Sequence, residues 1–433
     1  MKQLMLICAP VTSRSGYGAH ARDLVHSFSE LDRFDVKILD VPWGNCPRNA
    51  LNPTVGKDKS IIDKILVEPR MDRQPDVYVD IRIPNEFETH GKFNIGITAG
   101  VETDVISPEW IESCNKMDLI IVPSEHSKKG IVDTIYDKFQ DLPDGTKQKV
   151  DEIKVNKPVE VLFEGFDENI YKKLEVKEID NNILDDINEK IPEDFAFLFV
   201  GQWTNGGYGE DRKDIGKLIK IFYEAFANKK KKPALILKTS GATFSILDKE
   251  ECIDKINKIK KSFPDTFNLP NIYLLHGDLN DTELNSLYNH PKIKTFISLT
   301  HGEGFGRPLL EASAVGLPVI ASGWSGHLDF LDSELSLLIG GDLTEVPDSV
   351  LWDKIIIKNS KWFNVNEDQV YKAMNYVFNN HFEVKRRAES LSMKNQQKFS
   401  LSLMTEKLKI ILDSKMKSLP VLQQLKLPKL KKV

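Results

Sequence analysis

Residues 298–331 read SLTHGEGFGRPLLEASAVGLPVIASGWSGHLDFL. A Gly-Phe-Gly turn in this stretch precedes Pro308, and proline is favoured at the first position of a helix. We therefore predict a helix N-terminus here, whose free backbone N–H groups and positive dipole end can hold an anion or a sugar oxygen. Glu303 would lie in the loop and Glu311 about one turn inside the helix, where both carboxylates can accept hydrogen bonds from sugar or ribose hydroxyls. By spacing alone, a capping glutamate and a surface glutamate remain the simpler interpretation.

Outward from this stretch, short apolar runs alternate with amphipathic segments along most of the 433 residues. The pattern is typical of strands and crossover helices in parallel sheets that are covered on both faces. We predict an α/β fold with two doubly wound domains, residues 1–172 and 195–380, joined by an acidic linker over 173–194 that has a helix of its own. Residues 381–413 are predicted to be helices that cross back to the N-terminal domain or stay on the C-terminal one.

Composition and charge exclude several classes of protein. A hydrophobic content of 41% and a charged content of 28% exclude wholesale disorder, and a net charge of -5 argues against a dedicated nucleic-acid binder. The four cysteines form no C-x-x-C pair, so neither a zinc cage nor a disulfide framework is indicated. No run of about 18 apolar residues occurs, and the apolar N-terminal stretch is too short for a signal peptide. We expect a cytoplasmic protein.

The C-terminal stretch 414–433 is rich in lysine and apolar residues and contains no acid after Asp413. Charge runs at chain termini are common, so a solvated or docked tail is the preferred interpretation. The alternative is a peripheral contact with an anionic membrane surface or another polyanion.

The string EGFGRPLLEASAVGLPVIAS, residues 303–322, resembles the E-x7-E signature of the retaining glycosyltransferases of family 4. That family has the GT-B architecture of two facing Rossmann-like domains. The resemblance extends over about residues 3–400 and is most specific around 298–322. It implies that Glu311 contacts the donor ribose, and that Glu303 with Gly304, Phe305 and Gly306 faces the donor sugar and phosphates.

A second segment, FLFVGQW followed by GEDRKDIGKLIKIFYEAF, resembles the donor-phosphate segment of the same family. The resemblance implies that Arg212 and Lys213 neutralise the diphosphate, as guanidinium and ammonium groups can. Gln202 stands where the family has an arginine, and Arg212 would supply the missing charge. The alternative is that both cations lie on a solvated turn.

The remaining candidates follow from the same resemblance. In SGYG, Gly16 and Gly18 would form the opposing wall of the donor cleft, with Tyr17 and His20 on the acceptor side. Glu102 and Asp104 stand near the place where many relatives keep a histidine, so they are acceptor-side candidates without a transferred role. Asp278 and Leu279 would lie against the donor base.

The resemblance implies a retaining glycosyltransferase that moves a hexose from a UDP-, GDP- or ADP-sugar to an acceptor hydroxyl. By resemblance it needs neither a metal ion nor a cofactor. The acceptor is left open among a glycan, a lipid-linked sugar, a protein and a modified nucleic-acid base, and so is the oligomeric state. The alternatives are a sugar-nucleotide epimerase of the same architecture and a non-catalytic nucleotide-sugar-binding protein.

Overall fold

The computed structural model describes residues 2–142, 146–204, 206–241 and 243–416. Its N-terminal part contains eight strands, six of which form one parallel sheet in the order β2-β1-β3-β4-β5-β8. The other two, β6 and β7, form an antiparallel hairpin. The strands are β1 (Gln3–Ala9), β2 (Phe34–Asp40), β3 (Val77–Ile81), β4 (Phe93–Ile97), β5 (Leu119–Val122), β6 (Tyr136–Asp141), β7 (Lys147–Ile153) and β8 (Val159–Val161).

The C-terminal part repeats this plan with the strand order β11-β10-β9-β12-β13-β14, again all parallel. Counted within its own domain this is the order 3-2-1-4-5-6 of the Rossmann fold. A second antiparallel hairpin, β15 with β16, follows the sheet. The strands are β9 (Ala196–Gln202), β10 (Ala234–Ser240), β11 (Ile272–Leu275), β12 (Ile293–Ser298), β13 (Val319–Ser322), β14 (Leu337–Ile339), β15 (Gly341–Glu345) and β16 (Lys361–Val365).

The N-terminal sheet reaches the same order through a short pairing outside β2. Ile38 on β2 forms a parallel bridge with Ile65, so the segment around residue 65 occupies the third-strand position. Strands such as QLMLICA are buried over nearly their whole length because helices cover both faces of the sheet. The two domains are therefore Rossmann-like, as the apolar periodicity predicts.

Twelve α-helices connect and flank the two sheets within the described ranges. The N-terminal domain holds α1 (Gly16–Glu30), α2 (Gly56–Ile62), α3 (Pro108–Cys114) and α4 (Glu125–Asp133), and the predicted linker holds α5 (Asn181–Lys190). The C-terminal domain adds α6 (Ile215–Phe226), α7 (Ile246–Lys260), α8 (Asp281–Asn289), α9 (Arg307–Ala314), α10 (Glu367–Asn379), α11 (His381–Gln396) and α12 (Leu401–Lys415).

The last helix, α12, returns to the N-terminal domain. The backbone N–H of Phe166 donates to the carbonyl of Phe399 (3.1 Å), and that of Leu401 donates to the carbonyl of Phe166 (2.8 Å). Further along α12, the Thr405 hydroxyl meets that of Ser27 on α1 at 2.8 Å. The chain thus crosses between the domains twice, once through the linker and once before α12.

Residues 417–433, which hold most of the predicted basic tail, lie outside the described residues. Within the described ranges, no helix combines the length and the apolar character that crossing a bilayer would require.

Candidate active site

The loops at the carboxyl ends of the two sheets meet between the domains, where open α/β sheets bind ligands, and we call this region the cleft. Glu303 lies in the loop between β12 and α9 and is buried. Its carboxylate forms ion pairs with the Arg212 guanidinium, Nη1 to Oε2 3.2 Å, and with the Lys213 ammonium. The structure therefore brings the three predicted catalytic residues together.

These two cations stand in the turn between β9 and α6, and backbone contacts hold that turn against the Glu303 loop. The carbonyl oxygen of Arg212 accepts from the N–H of His301 at 2.8 Å. The Arg212 Nη1 also donates to the carbonyl of Gly302 at 3.1 Å. Because both loops follow adjacent strands of one sheet, β9 and β12, they meet at its carboxyl edge.

The two cations beside Glu303 strongly lower the pKa of its carboxyl group. Burial raises the pKa of Glu303, but the Lys213 ammonium and the Arg212 guanidinium outweigh it and lower the pKa to about 2. Burial lowers the pKa of Lys213 below its usual value although Glu303 opposes that shift. Glu303 is thus a carboxylate at any physiological pH and is paired with both cations.

The N-terminal domain touches this centre directly. Glu102, in the loop after β4, places its Oε1 3.6 Å from the Arg212 Nε. The hydroxyl of Ser127 donates to the carbonyl of Gly304 at 3.2 Å, and Ser124 donates to the same oxygen. A Cβ on Gly304 would overlap the carbonyl oxygen of Ala99, so only glycine permits this approach of the two backbones. The cleft is closed at this end.

Glu311 lies inside α9, about one turn from its start, as the sequence predicts. Its Oε1 accepts from the Arg307 Nε at 2.8 Å, and its Oε2 accepts from the Tyr288 hydroxyl at 3.2 Å. Arg307 reaches across the cleft as well, with Nη1 2.6 Å from Asp23 Oδ2 on α1. Burial raises the pKa of Glu311 to about 7, and Arg307 opposes that shift.

On the N-terminal wall of the cleft, the side chains of the acceptor-side candidates are hydrogen-bonded to, or buried against, other residues of the protein. The Tyr17 hydroxyl accepts from the N–H of Ala99 at 3.0 Å and meets the Thr98 hydroxyl at 2.8 Å, while its ring stacks on Trp43. His20 is buried on α1 next to Arg307, and burial lowers its pKa to about 3. Asp104 accepts from the backbone N–H of Lys361 at 2.7 Å, which joins the two domains.

The glycine candidates differ in the space that a side chain would have at each position. At Gly18 a Cβ would overlap the carbonyl oxygen of Ser13, and its N–H donates to the Ser15 hydroxyl, which caps α1. A Cβ added at Gly16 would have no other atom within 4 Å, so this position borders open space. Gly306 caps α9 with a φ of +97°, the left-handed region that favours glycine.

Four other residues singled out in the sequence lie where their side chains are used by the fold. Phe305 packs its ring against Phe330 in the core, 5.1 Å between centroids, so only its backbone is available to a ligand. Asp278 forms an ion pair with Arg14 across the cleft, and Leu279 packs on the core. Gln202 donates its side-chain amide to the carbonyl of Gly241 at 2.8 Å.

Sequence reasoning overlooked Arg307 and Asp23 as functional candidates, and it took Glu164 as a structural or cleft-lining residue. Arg307 stands inside the quoted string EGFGRP, and its place at the start of α9 was the available signal. Asp23 shows no sequence signal, because its partner lies 284 residues further along the chain. Glu164 follows β8 and is buried between the domains, where burial raises its pKa to about 8.

No group of three or more histidine, cysteine, aspartate or glutamate side chains in the described ranges has the arrangement of a metal site. The candidate centre is instead a set of paired charges. At one end stand two cations with Glu303 and Glu102, and at the other stands one arginine among several carboxyl groups.

Residues 211–339, less than half of the chain, match the family model described as Glycosyl transferases group 1. A search of curated protein sequences finds no match. The matched range contains Arg212, Lys213, Glu303 and Glu311, and the match supports glycosyl transfer as the activity.

Several solved structures share the fold over nearly the whole chain. They include Anabaena HepE in complex with UDP and glucose (13% identity, TM-score 0.57, 95% of this chain and 100% of that one). Sucrose-phosphate synthase from Thermosynechococcus elongatus matches at 11% identity and TM-score 0.62, over 95% and 99% of the two chains. A glycosyltransferase from Rickettsia africae matches at 13% and 0.59, over 96% and 99%. The GT-B prediction is thereby confirmed as a fold.

Proposed function

We propose that this protein is a retaining glycosyltransferase that transfers a hexose from a nucleotide sugar to an acceptor hydroxyl without a metal ion. The observation that carries the proposal is the convergence of Arg212 and Lys213 on Glu303 at the carboxyl edge of the C-terminal sheet. The family match over residues 211–339 covers this centre. The Anabaena neighbour is described with UDP and glucose, which supports a nucleotide sugar as the donor class.

In the proposed complex, the diphosphate takes the place of the carboxylate partners of Arg212 and Lys213. When the glycosidic bond to the diphosphate breaks, negative charge grows on the leaving phosphate, and two cations fixed beforehand stabilise it. The Glu303 carboxylate, freed from one cation, accepts hydrogen bonds from sugar hydroxyls. Its low pKa keeps it an acceptor at neutral pH.

In a transfer that retains the anomeric configuration, the leaving diphosphate takes the proton of the acceptor hydroxyl. The acceptor hydroxyl attacks the anomeric carbon on the face from which the diphosphate departs, and a diphosphate oxygen takes the hydroxyl proton. No protein nucleophile is required in this scheme. Closure of the domains around the donor excludes water, which would otherwise hydrolyse it.

The proposal is tested with UDP-, GDP- and ADP-sugars in the presence of a chelator. Melting temperatures first identify the nucleotide that stabilises the fold. Release of the nucleoside diphosphate and NMR of the transferred sugar then define the reaction. Transfer with retained anomeric configuration supports the proposal, whereas an epimerised sugar formed with or without acceptor supports the epimerase alternative. Binding without turnover supports the non-catalytic alternative.

The matched pair Lys213→Ala and Lys230→Ala completes this test. Lys213 is buried in the cleft and Lys230 is exposed on the loop after α6. Loss of turnover in the first variant alone places the reaction at this cleft. Equal turnover in both would refute the assignment.

A further inference from the structure

A cavity of about 170 Å³ lies at the amino end of the C-terminal sheet. It is formed by the segments that lead into β12 and β13, by the start of α11 and by the start of the linker. The cleft described above lies at the opposite, carboxyl edge of this sheet, because the Glu303 loop follows β12. On the same measure one water molecule needs about 10–15 Å³, so the cavity has room for a larger group.

The wall of this cavity is cationic. In the part of the chain that the structure describes, the lining residues include no aspartate or glutamate, but they include three lysines and two histidines, which are Lys173, Lys294, Lys385, His290 and His381. The chain as a whole carries a net charge of -5, so this excess of positive charge is local. Cations gathered around a cavity favour an anion as its occupant.

The protein neutralises these lysines only in part. Lys294 is half-buried on β12, and its ammonium forms neither an ion pair nor a hydrogen bond with any described residue. The Lys385 ammonium donates to the carbonyl of Gly316 at 2.6 Å, which uses one of its three N–H groups. Lys173 is exposed and lies 3.4 Å from the Glu389 carboxylate. One carboxylate is thus available to three ammonium groups.

The three ammonium groups are close enough to repel one another. Burial lowers the pKa of Lys385, and Lys173 and Lys294 lower it further, while Glu389 opposes the shift. Helix α11 begins at His381, so the positive end of its dipole lies at the same wall. Like charges that are held together cost free energy, and a bound anion would offset that cost.

The two histidines are occupied by backbone groups. The His381 Nε2 donates to the carbonyl of Lys294 at 3.1 Å, and the His290 Nδ1 accepts from the N–H of Lys292 at 3.1 Å. The free N–H donors of the wall therefore come from the lysines, and lysine binds phosphate as a point charge. We propose that this cavity is a second anion site, separate from the cleft, which binds a phosphate group, either free phosphate or that of a small phosphomonoester.

The test is a calorimetric titration of the full chain carrying Lys213→Ala with inorganic phosphate, at an ionic strength kept constant with chloride. This background is chosen because Arg212 and Lys213 in the cleft would also attract phosphate. We expect saturable binding with a Kd of about 1 mM. Adding Lys294→Gln should raise the Kd about tenfold, since a charge-assisted hydrogen bond is lost, and adding Lys294→Glu should abolish binding. Adding Lys230→Ala, on an exposed loop, is the control and should change nothing.

The Lys294 variants should fold, because the ammonium that they remove has no partner in the described chain, and thermal transitions without phosphate check this. Lys173→Gln, at an exposed position, should weaken binding as well and provides an independent variant. Equal phosphate affinity with and without the Lys294 and Lys173 substitutions would overturn the inference and assign the phosphate to the cleft. Absence of saturable binding in Lys213→Ala would overturn it too.

A parallel titration with glycerol 3-phosphate separates the two sources of the phosphate group. Tighter binding of the ester than of inorganic phosphate supports a phosphomonoester as the occupant, and the reverse order supports free phosphate. The inference does not depend on the proposed function, since none of these measurements involves a nucleotide sugar.

Discussion

The two ends of the stretch 303–311 differ in their electrostatics although one turn of helix and a short loop separate them. Glu303 faces two cations, and its pKa is lowered to about 2. Glu311 shares one arginine with Asp23, and burial raises its pKa to about 7. The same residue type in one motif thus has a strongly lowered pKa at one end and a raised pKa at the other.

This difference divides the cleft by ligand chemistry. The Arg212 and Lys213 end suits the diphosphate, because cations there can exchange a carboxylate for a phosphate. The Glu311 end suits hydroxyl groups, since carboxyl groups of both protonation states can pair with them. A nucleotide sugar presents both kinds of group, which is why the division supports that donor class.

The largest expected effect is at the cationic end. Lys213→Ala should lower turnover by about 10²–10³-fold, since a positioned charge on the leaving group is lost from a buried site. Lys230→Ala, on an exposed loop, should leave turnover unchanged. Initial rates of diphosphate release in both variants measure this effect. Similar rates in the two variants would contradict the assignment of the diphosphate to the Arg212 and Lys213 end of the cleft.

The pH dependence of stability should have opposite signs at the two glutamates. The folded-state pKa of Glu303 lies below its unfolded value, so its stabilisation is present above about pH 4.5 and is lost as the pH falls towards 2. The folded-state pKa of Glu311 lies above its unfolded value, so stability falls as the pH rises from about 4.5 to 7. Each shift corresponds to a free-energy change on the order of 3 kcal/mol.

Urea unfolding of wild type, Glu303→Gln and Glu311→Gln from pH 2 to pH 8 measures both contributions. The first variant should lose the acid-side dependence and the second the dependence between pH 4.5 and 7. If both variants changed the profile on the same side of pH 4.5, the contrast between the two glutamates would be wrong.

Closure of the cleft provides a third comparison. Gly304→Ala should keep the domains apart, because the new methyl group would overlap the carbonyl oxygen of Ala99. We expect a turnover loss of about tenfold or more and a larger radius of gyration in small-angle X-ray scattering. Gly56→Ala, at the open start of α2, is the control. An unchanged radius of gyration with full activity would contradict the role of this contact.

The smallest effect is expected at the rim of the cleft, which is marked by the half-exposed ion pair of Arg14 with Asp278. Arg307 with Asp23 is a buried pair between the domains, whereas Arg14 with Asp278 is half-exposed. Double-mutant cycles in urea should give a coupling of about 1.5–3 kcal/mol for the first pair and below about 1 kcal/mol for the second. The reverse order would indicate that the rim, and not the centre, holds the domains together.

The sequence predicts the parallel sheets and the helix after the Gly-Phe-Gly turn because these features depend on local periodicity and turn chemistry. The β6–β7 and β15–β16 hairpins escape the same reasoning, since their strands are partly or wholly exposed and carry little apolar alternation. Phe305 shows a further limit, because a position in a motif does not tell which way its ring points.

The residues of the candidate site also differ in whether the sequence predicts them. Glu303, Arg212 and Lys213 are found from the sequence because a family resemblance marks both segments. Asp23 and the contact of Glu102 with Arg212 are not, because these residues come from the other domain and meet the site only across the cleft. Their contribution depends on packing between domains, which periodicity does not report.

The most direct test of the account is an equilibrium titration of wild type and Lys213→Ala with UDP, GDP and ADP, each compared with its nucleoside, in the presence of a chelator. We expect that one diphosphate binds wild type, that its nucleoside binds far more weakly, and that Lys213→Ala brings the two affinities close together. Equal affinity of wild type and variant for the diphosphate would contradict the assignment of the cationic end.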